Sequence, residues 1–279
     1  MKKNIIITVL AVLLLGLGVY VVTDKVLNKE VKQENKKEEV VEKIENFDKE
    51  EAKTIVEKYL HGLFAKTIEK EIKDGLSEDY RLFLAITYAE KSNFDYKCKE
   101  AFPNSTLDEY GFYNINEGNF AGACSENRNP DEYSGATYEE VNKSYKKLFG
   151  NEKDAPKKNT SFGLDRYGYS EKYDAYIKLD CRCGGSYFPD RYLDITNATI
   201  QCNRLEVTFK YAVMEYTYEN SNYKVCINNS CKTVDNVNSF ITSGIEEFYE
   251  ENKDIVKEYK FTFNKGTDGC YFVKSEKVD

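Results

Sequence analysis

Apolar residues recur every three and four positions in the first half of the chain and every second position in much of the remainder, which predicts helices followed by strands. Ala52, Ile55, Val56, Tyr59, Leu60, Leu63 and Phe64 form one helical stripe. Asp48 with Glu51 three residues later makes a capping-box start, and Phe47 stands where a hydrophobic staple would pack. Gly75 is the expected end of this helix or of a short extension. Ser77 opens a second helix that buries Leu82, Phe83, Ile86 and Ala89. Thr137 and Glu140 cap a third, whose Tyr138, Val141, Tyr145, Leu148 and Phe149 face one way until Gly150 ends it.

Between the second and third helices, Lys91 to Ala136 keeps no period, so a pin is expected there, and Cys98 with Cys124 is the evident pair. After the third helix, strands are predicted at Tyr173 to Cys183, Arg191 to Gln201, Arg204 to Tyr218, Asn222 to Ile227 and Ser230 to Asp235. The short turns between them make neighbours antiparallel. In the first strand Ala175, Ile177, Leu179, Cys181 and Cys183 share the inward parity, leaving Tyr176 and Lys178 outward. In Arg204 to Tyr218 the apolar parity changes between Tyr211 and Met214, which predicts a bulge or bend near Val213. Ile245 to Ile255 reads as helix, and Tyr259 to Phe263 with Cys270 to Lys274 as a closing hairpin. The expected fold class is α+β: an N-terminal transmembrane helix, then helices packed on a mainly antiparallel β-sheet.

The N-terminus carries a different pattern. Ile5 to Thr23 is a run of 19 residues without a charge, long enough to cross a hydrocarbon core of about 30 Å. It is too long for the apolar core of a cleaved leader and lacks a good small-x-small site, so it is read as an uncleaved anchor. The layout is then an anchor over residues 1–24, a charged spacer over 25–46, and an extracytoplasmic domain over 47–279, helical to about 150 and β-rich beyond. Lys25, Lys29, Lys32, Lys36 and Lys37 after the run outnumber Lys2 and Lys3 before it, which favours a cytoplasmic domain. Eight cysteines favour an oxidising compartment instead, and they decide the orientation.

The cysteines also carry the sharpest local signal. If Asn228-Asn229 is a two-residue loop, Cys226 and Cys231 fall opposite each other as a non-hydrogen-bonded pair with Cα atoms about 4.5 Å apart, within disulfide range. The alternative is that both sulfurs face other partners. Cys181 and Cys183 share a face, so each needs its own partner; Cys202 and Cys270 remain, with the pairing open. These four would satisfy the ligand count of a zinc site, but C-x-C is not knuckle spacing, and no metal is expected. Gly184-Gly185 lacks the following Lys-Ser or Lys-Thr of a phosphate loop, and no cofactor is expected.

Charge and composition narrow the remaining classes. A net charge of −8 with interspersed basic residues argues against nucleic-acid binding. His61 is the only histidine, beside the apolar stripe of its helix, which removes most hydrolytic triads. Carboxylate pairs such as Glu139-Glu140 and Asp190 with Asp194 form no constellation by spacing alone. Tyrosine is in excess, at 23 residues with no tryptophan, and Tyr176, Tyr187 and Tyr192 beside the first two strands are a candidate binding surface.

Thr137-Tyr-Glu-Glu-Val-Asn-Lys-Ser-Tyr-Lys-Lys-Leu-Phe149-Gly150, the Cys181-Arg-Cys183-Gly-Gly185 turn and the Tyr259 to Val273 hairpin resemble uncharacterised, membrane-anchored or secreted proteins of low-GC Gram-positive bacteria. The resemblance covers roughly the second half of the chain and implies location and layout only. The expectation is a single-pass cell-membrane protein whose bulk is extracytoplasmic, held through residues 5–23, acting as a non-catalytic module that binds an envelope component or protein. The alternatives are a carboxylate- or thiol-based envelope hydrolase and a purely structural envelope protein.

Overall fold

A computed structural model describes residues 43–63, 65–73, 75–92, 95–118, 120–125, 135–180, 190–219, 222–227, 230–234, 246 and 249–278. The expected anchor at residues 5–23, the spacer to 42, Cys181, Cys183 and Tyr187 lie outside the described residues, as do the side chains at 215–219, 222–227 and 230–234. Among the described residues no helix is long and apolar enough to cross a membrane. Ile44–Asp279 form one compact unit, α+β with antiparallel sheets.

Helix α1, Lys49–Leu60, starts as its capping box requires: the Asp48 carboxylate accepts the Glu51 N–H at 2.8 Å. It stops sooner than its apolar stripe. Gly62 adopts φ +75°, and a Cβ there would come within 3.0 Å of the Phe83 ring, so the chain turns at a residue only glycine fits. Leu63 is buried at the corner, and α2, Ala65–Lys73, follows as a separate helix. The carbonyls left open where α1 ends are taken by a buried tyrosine: the Tyr80 hydroxyl lies 2.7 Å from the Tyr59 carbonyl and 2.9 Å from that of His61. Helix α3, Glu78–Tyr88, is capped by Ser77, and α5, Tyr138–Phe149, by Thr137, whose hydroxyl accepts the Glu140 N–H at 3.3 Å. A short helix α4, Cys98–Ala101, lies between them in sequence.

The largest sheet is a seven-stranded antiparallel layer. Strand β1 (Glu45–Asn46) pairs with β9 (Asp190–Gln201), and β9 with β10 (Arg204–Glu219). The other edge of β10 holds β13 (Glu258–Gly266) beside residues 204–210 and β11 (Asn222–Ile227) beside residues 214–219. β12 (Ser230–Val234) and β14 (Gly269–Val278) complete the two hairpins. Because β1 belongs to this sheet, the folded unit begins inside the expected spacer. Leu205, Val207, Phe209, Tyr211 and Val213 on β10, with Tyr259, Phe261 and Phe263 on β13, share one core with α1, α2, α3 and α5.

No bulge lies near Val213 in the β9–β10 ladder: β10 pairs with β9 without a shift from Phe209 to Met214, while its other edge passes from β13 at Lys210 to β11 at Met214. The bulge lies on β9, where Thr196 is the extra residue between Asn197, opposite Thr208, and Ile195, opposite Phe209. The parity changes on β10 because both faces become buried. Ala212 and Met214 are 1% and 2% exposed, and the face they share with Tyr192 and Asp194 is met by Tyr249, which stacks on Tyr192 at 4.5 Å and donates to Asp194 at 2.8 Å.

Two smaller sheets fill the span that showed no period and the segment after α5. One is β2 (Thr106–Leu107), β3 (Phe112–Glu117) and β4 (Phe120–Ser125); the other runs β5 (Gly135–Thr137), β8 (Ala175–Leu179), β7 (Asp165–Ser170), β6 (Thr160–Phe162). Reciprocal backbone bonds of 2.9 and 2.8 Å between Ala123 and Asp180 join them. Strand β8 keeps its predicted alternation but is buried on both sides. Tyr176 enters the large core with Phe162 and Tyr167, whereas Ile177 and Leu179 enter a second cluster with Cys98, Ala101, Phe102, Ile115 and Cys124.

Candidate functional site

The expected surface of tyrosines is not assembled. Tyr176 is fully buried, its hydroxyl donating to the Pro156 carbonyl, so it offers no face to a ligand. Tyr192 is half-buried against Tyr249, and Tyr187 lies outside the described residues. The tyrosine excess is instead built into the interior. Tyr59, Tyr80, Tyr176, Tyr249 and Tyr259 are among the largest fully buried side chains, and burial raises their pKa values, that of Tyr259 to about 12. Several hydroxyls terminate main-chain carbonyls, as Tyr59 does at Leu148 of α5 over 2.9 Å.

Cys98 and Cys124 form a disulfide with Cα atoms 5.7 Å apart. In the β11–β12 register Ile227 faces Ser230 and Cys226 faces Cys231. Cys202 is exposed in the β9–β10 turn, and Cys270 is a half-buried free thiol on β14. β13 runs between them, with Lys265 donating to the Asn203 carbonyl and standing opposite Cys270. Burial pushes the Cys270 thiol pKa up, which keeps it protonated and a poor nucleophile. His61 sits at the end of α1 beside the rings of Phe83 and Tyr88, and burial, then the Arg191 charge, lowers its pKa. Among the described residues no group of three His, Cys, Asp or Glu side chains is placed to hold a metal ion.

What the fold does assemble is a cleft of 540 Å³ beside the smaller cluster. One wall is the segment leaving α4, from Glu100 to Ser105, with Ile115, Asn116 and Glu117 of β3; the other is the loop Lys157–Asn159 with Tyr169, Glu171 and Lys172. The first wall is fixed covalently, because α4 begins at Cys98 and β4 carries Cys124. Lys99 ties the following loop by donating to the carbonyls of Pro103 and Ser105 at 2.7 and 2.9 Å. Asn159 bridges the walls, donating to Glu117 at 2.6 Å and accepting the Tyr169 N–H at 2.8 Å.

The lining carries equal numbers of both charges, and its lysines are paired. Glu100, Glu117 and Glu171 stand against Lys157, Lys158 and Lys172. Lys172 pairs with Glu100, and their mutual hydrogen bond holds the carboxyl below its ordinary range and the ammonium above it. Lys157 contacts Asp174 at 2.7 Å with the same opposed shifts, and its ammonium lies 4.0 Å from the centre of the Tyr138 ring. Lys158 reaches Glu78 and Asp79 at 2.6 and 2.9 Å. Asn104, Asn116 and Glu171 are exposed, with no side-chain hydrogen bond to protein among the described residues, and supply donors and acceptors to whatever enters.

Asn104 and Asn159 each open an Asn-x-Ser/Thr triplet, but no motif marks these lining residues as a site, and sequence reasoning missed them as one. The one available signal was indirect: a long aperiodic span pinned by two cysteines contains Asn104, Asn116 and Glu117. Comparison with known proteins finds no family model, no curated protein and no solved structure that matches the chain.

Proposed function

We propose that the chain is a single-pass membrane protein, held through residues 5–23, whose extracytoplasmic domain binds a neutral, hydroxyl- and amide-rich envelope component, a saccharide, in the polar cleft without transforming it. The observation that carries this reading is the preformed lining, whose lysines are all paired. Each lining lysine is already paired with a carboxylate, which disfavours an anionic ligand, while the exposed amides suit a dense hydrogen-bonding one. Walls tied by a disulfide and by the Asn159 bridge reduce the ordering that binding must impose. The Cys98–Cys124 disulfide supports the oxidising side of the membrane.

The non-catalytic part rests on the direction of the shifts. A general acid or base is tuned toward neutrality, whereas the pairs Glu100–Lys172 and Asp174–Lys157 are each driven further into their resting charges. The test is titration of the isotopically labelled protein with soluble saccharide fragments released from cell envelopes. Shifts centred on Asn104, Asn116 and Lys172, weakened by Asn116→Ala, support the reading. Perturbation confined to another face, or turnover of the fragments, overturns it. Labelling intact cells with a membrane-impermeant thiol reagent after reduction reads the orientation separately.

A further inference from the structure

A second cleft, of 280 Å³, opens between α3, the end of α5 with the loop after it, and the β13–β14 hairpin. Its central group is Arg81 on α3. The guanidinium carbon lies 5.5 Å from the centre of the Phe149 ring and 5.7 Å from that of Phe272, so two aromatic faces hold its plane. Nε donates to the Leu76 carbonyl at 2.8 Å, which fixes rotation of the fork. No carboxylate is within ion-pair distance of Arg81 among the described residues. Glu78, one turn earlier, is committed to Lys158 at 2.6 Å, and Glu71 accepts from Ser77 N–H and hydroxyl at 2.7 and 3.0 Å.

The rest of the lining completes a recognisable chemistry. Lys153 and Glu152 offset each other, leaving the charge of Arg81 as the excess. Asn151 and Asn264 bring side-chain amides; Asn264 donates to the Tyr271 hydroxyl at 3.3 Å, which leaves its carbonyl oxygen to accept a ligand N–H. Phe149, half-buried, and Val273, 44% exposed, supply an apolar surface for a small side chain. A rigid planar fork matches the two oxygens of a carboxylate in one plane, and an amide acceptor beside it matches the N–H that precedes a peptide's last residue.

We propose that this cleft binds the free C-terminal carboxylate of a peptide, with Arg81 as the anion fork and Asn264 reading the adjoining backbone amide. It is a site separate from the saccharide cleft, and it stands whether or not that reading holds.

The experiment titrates the full chain, in detergent micelles, with N-acetyl-dialanine and with its C-terminal amide, following backbone shifts by NMR. The acid is expected to shift Arg81, Asn151 and Asn264, and the amide to bind at least ten-fold more weakly. Arg81→Lys keeps the charge but loses the fork and is expected to weaken the acid at least ten-fold. Because that change also touches the aromatic stack, Lys153→Glu at the rim serves as the second variant, and it should weaken the acid several-fold without altering the fold. Equal shifts from acid and amide, no shift of the cleft residues by the acid, or undiminished binding in both variants would overturn the proposal.

Discussion

Two hydrophobic clusters meet at strand β8, and they are stabilised by different means. The larger joins four helices to the face of the long sheet and holds Phe209, Phe261, Phe263 and Phe272 in edge and face contacts, with ring centres 4.8 to 6.2 Å apart. The smaller has seven buried residues, two of which are the cysteines of a disulfide. A cluster of that size removes too little apolar area from water to offset the ordering of the long span around it, so a covalent closure takes over part of that task. The polar cleft lies on the rim of the braced cluster, where loops can expose hydrogen-bonding groups and still hold their positions.

Perturbing each cluster should give different signatures. Phe261→Ala, at the centre of the large core, is expected to cost about 3–5 kcal/mol and lower the midpoint of global denaturation, with loss of protection across the helices and the long sheet together. Removing the 98–124 closure by replacing both cysteines with alanine should cost about 3.5 kcal/mol in the chain-entropy account. Its effect should stay in residues 95–125, read by hydrogen exchange. Gly168→Ala probes close packing in the small cluster, since a Cβ there would come 2.7 Å from the Phe102 ring. Overpacking of this kind costs about 1–3 kcal/mol and should appear as strain at Phe102 and Leu179 in NMR spectra. Thr137→Ala sits at the join, capping α5 while pairing with Ala175 of β8, and should cost about 1 kcal/mol in thermal denaturation.

The pH response is the smallest of these effects and separates the cleft from the cores. Glu100 and Asp174 have depressed pKa values, so their pairing contributes above the unfolded carboxylate range of about 4 and is lost as pH falls through the folded values. Lys157 and Lys172 have raised values, so their contribution is present below the unfolded value of about 10.4 and is lost as pH rises through the folded ones. The cleft geometry should therefore hold unchanged from about pH 5 to 10, and side-chain NMR titration checks it. His61, with a lowered pKa, adds a mild loss of stability as pH falls below about 6.5, which His61→Gln should abolish.

The parts of the fold that depend on local chemistry were legible in the sequence. Asp48, Ser77 and Thr137 cap the helices they were expected to cap, and Gly150 ends α5. The hairpin register opposing Cys226 and Cys231, and the pairing of Cys98 with Cys124, follow from turn length and from the need to pin a long span. What escaped the sequence depended on tertiary contact. Gly62 splits the first helix because Phe83 crowds it, and no stripe of apolar residues records that crowding. Tyr176 looked outward because alternation reports two faces and not what covers each one; the larger core covers it, and the smaller one takes Ile177 and Leu179. β2, β3 and β4 were invisible because short strands with one shielded face carry little period. The cleft was illegible for the same reason, since Asn116 and Lys172 meet only through the docking of those strands.

Hydrogen exchange on the full chain carrying Cys98→Ala and Cys124→Ala, compared with the unaltered protein, tests the division most directly. The two-cluster account predicts faster exchange through residues 98–101, 112–117 and 120–125, with Leu205–Val213 and Tyr259–Phe263 retaining their protection. Uniform acceleration across the sheet and helices would mean one cooperative core, and unchanged exchange at Ile115–Glu117 would mean that the disulfide does not hold the cleft wall.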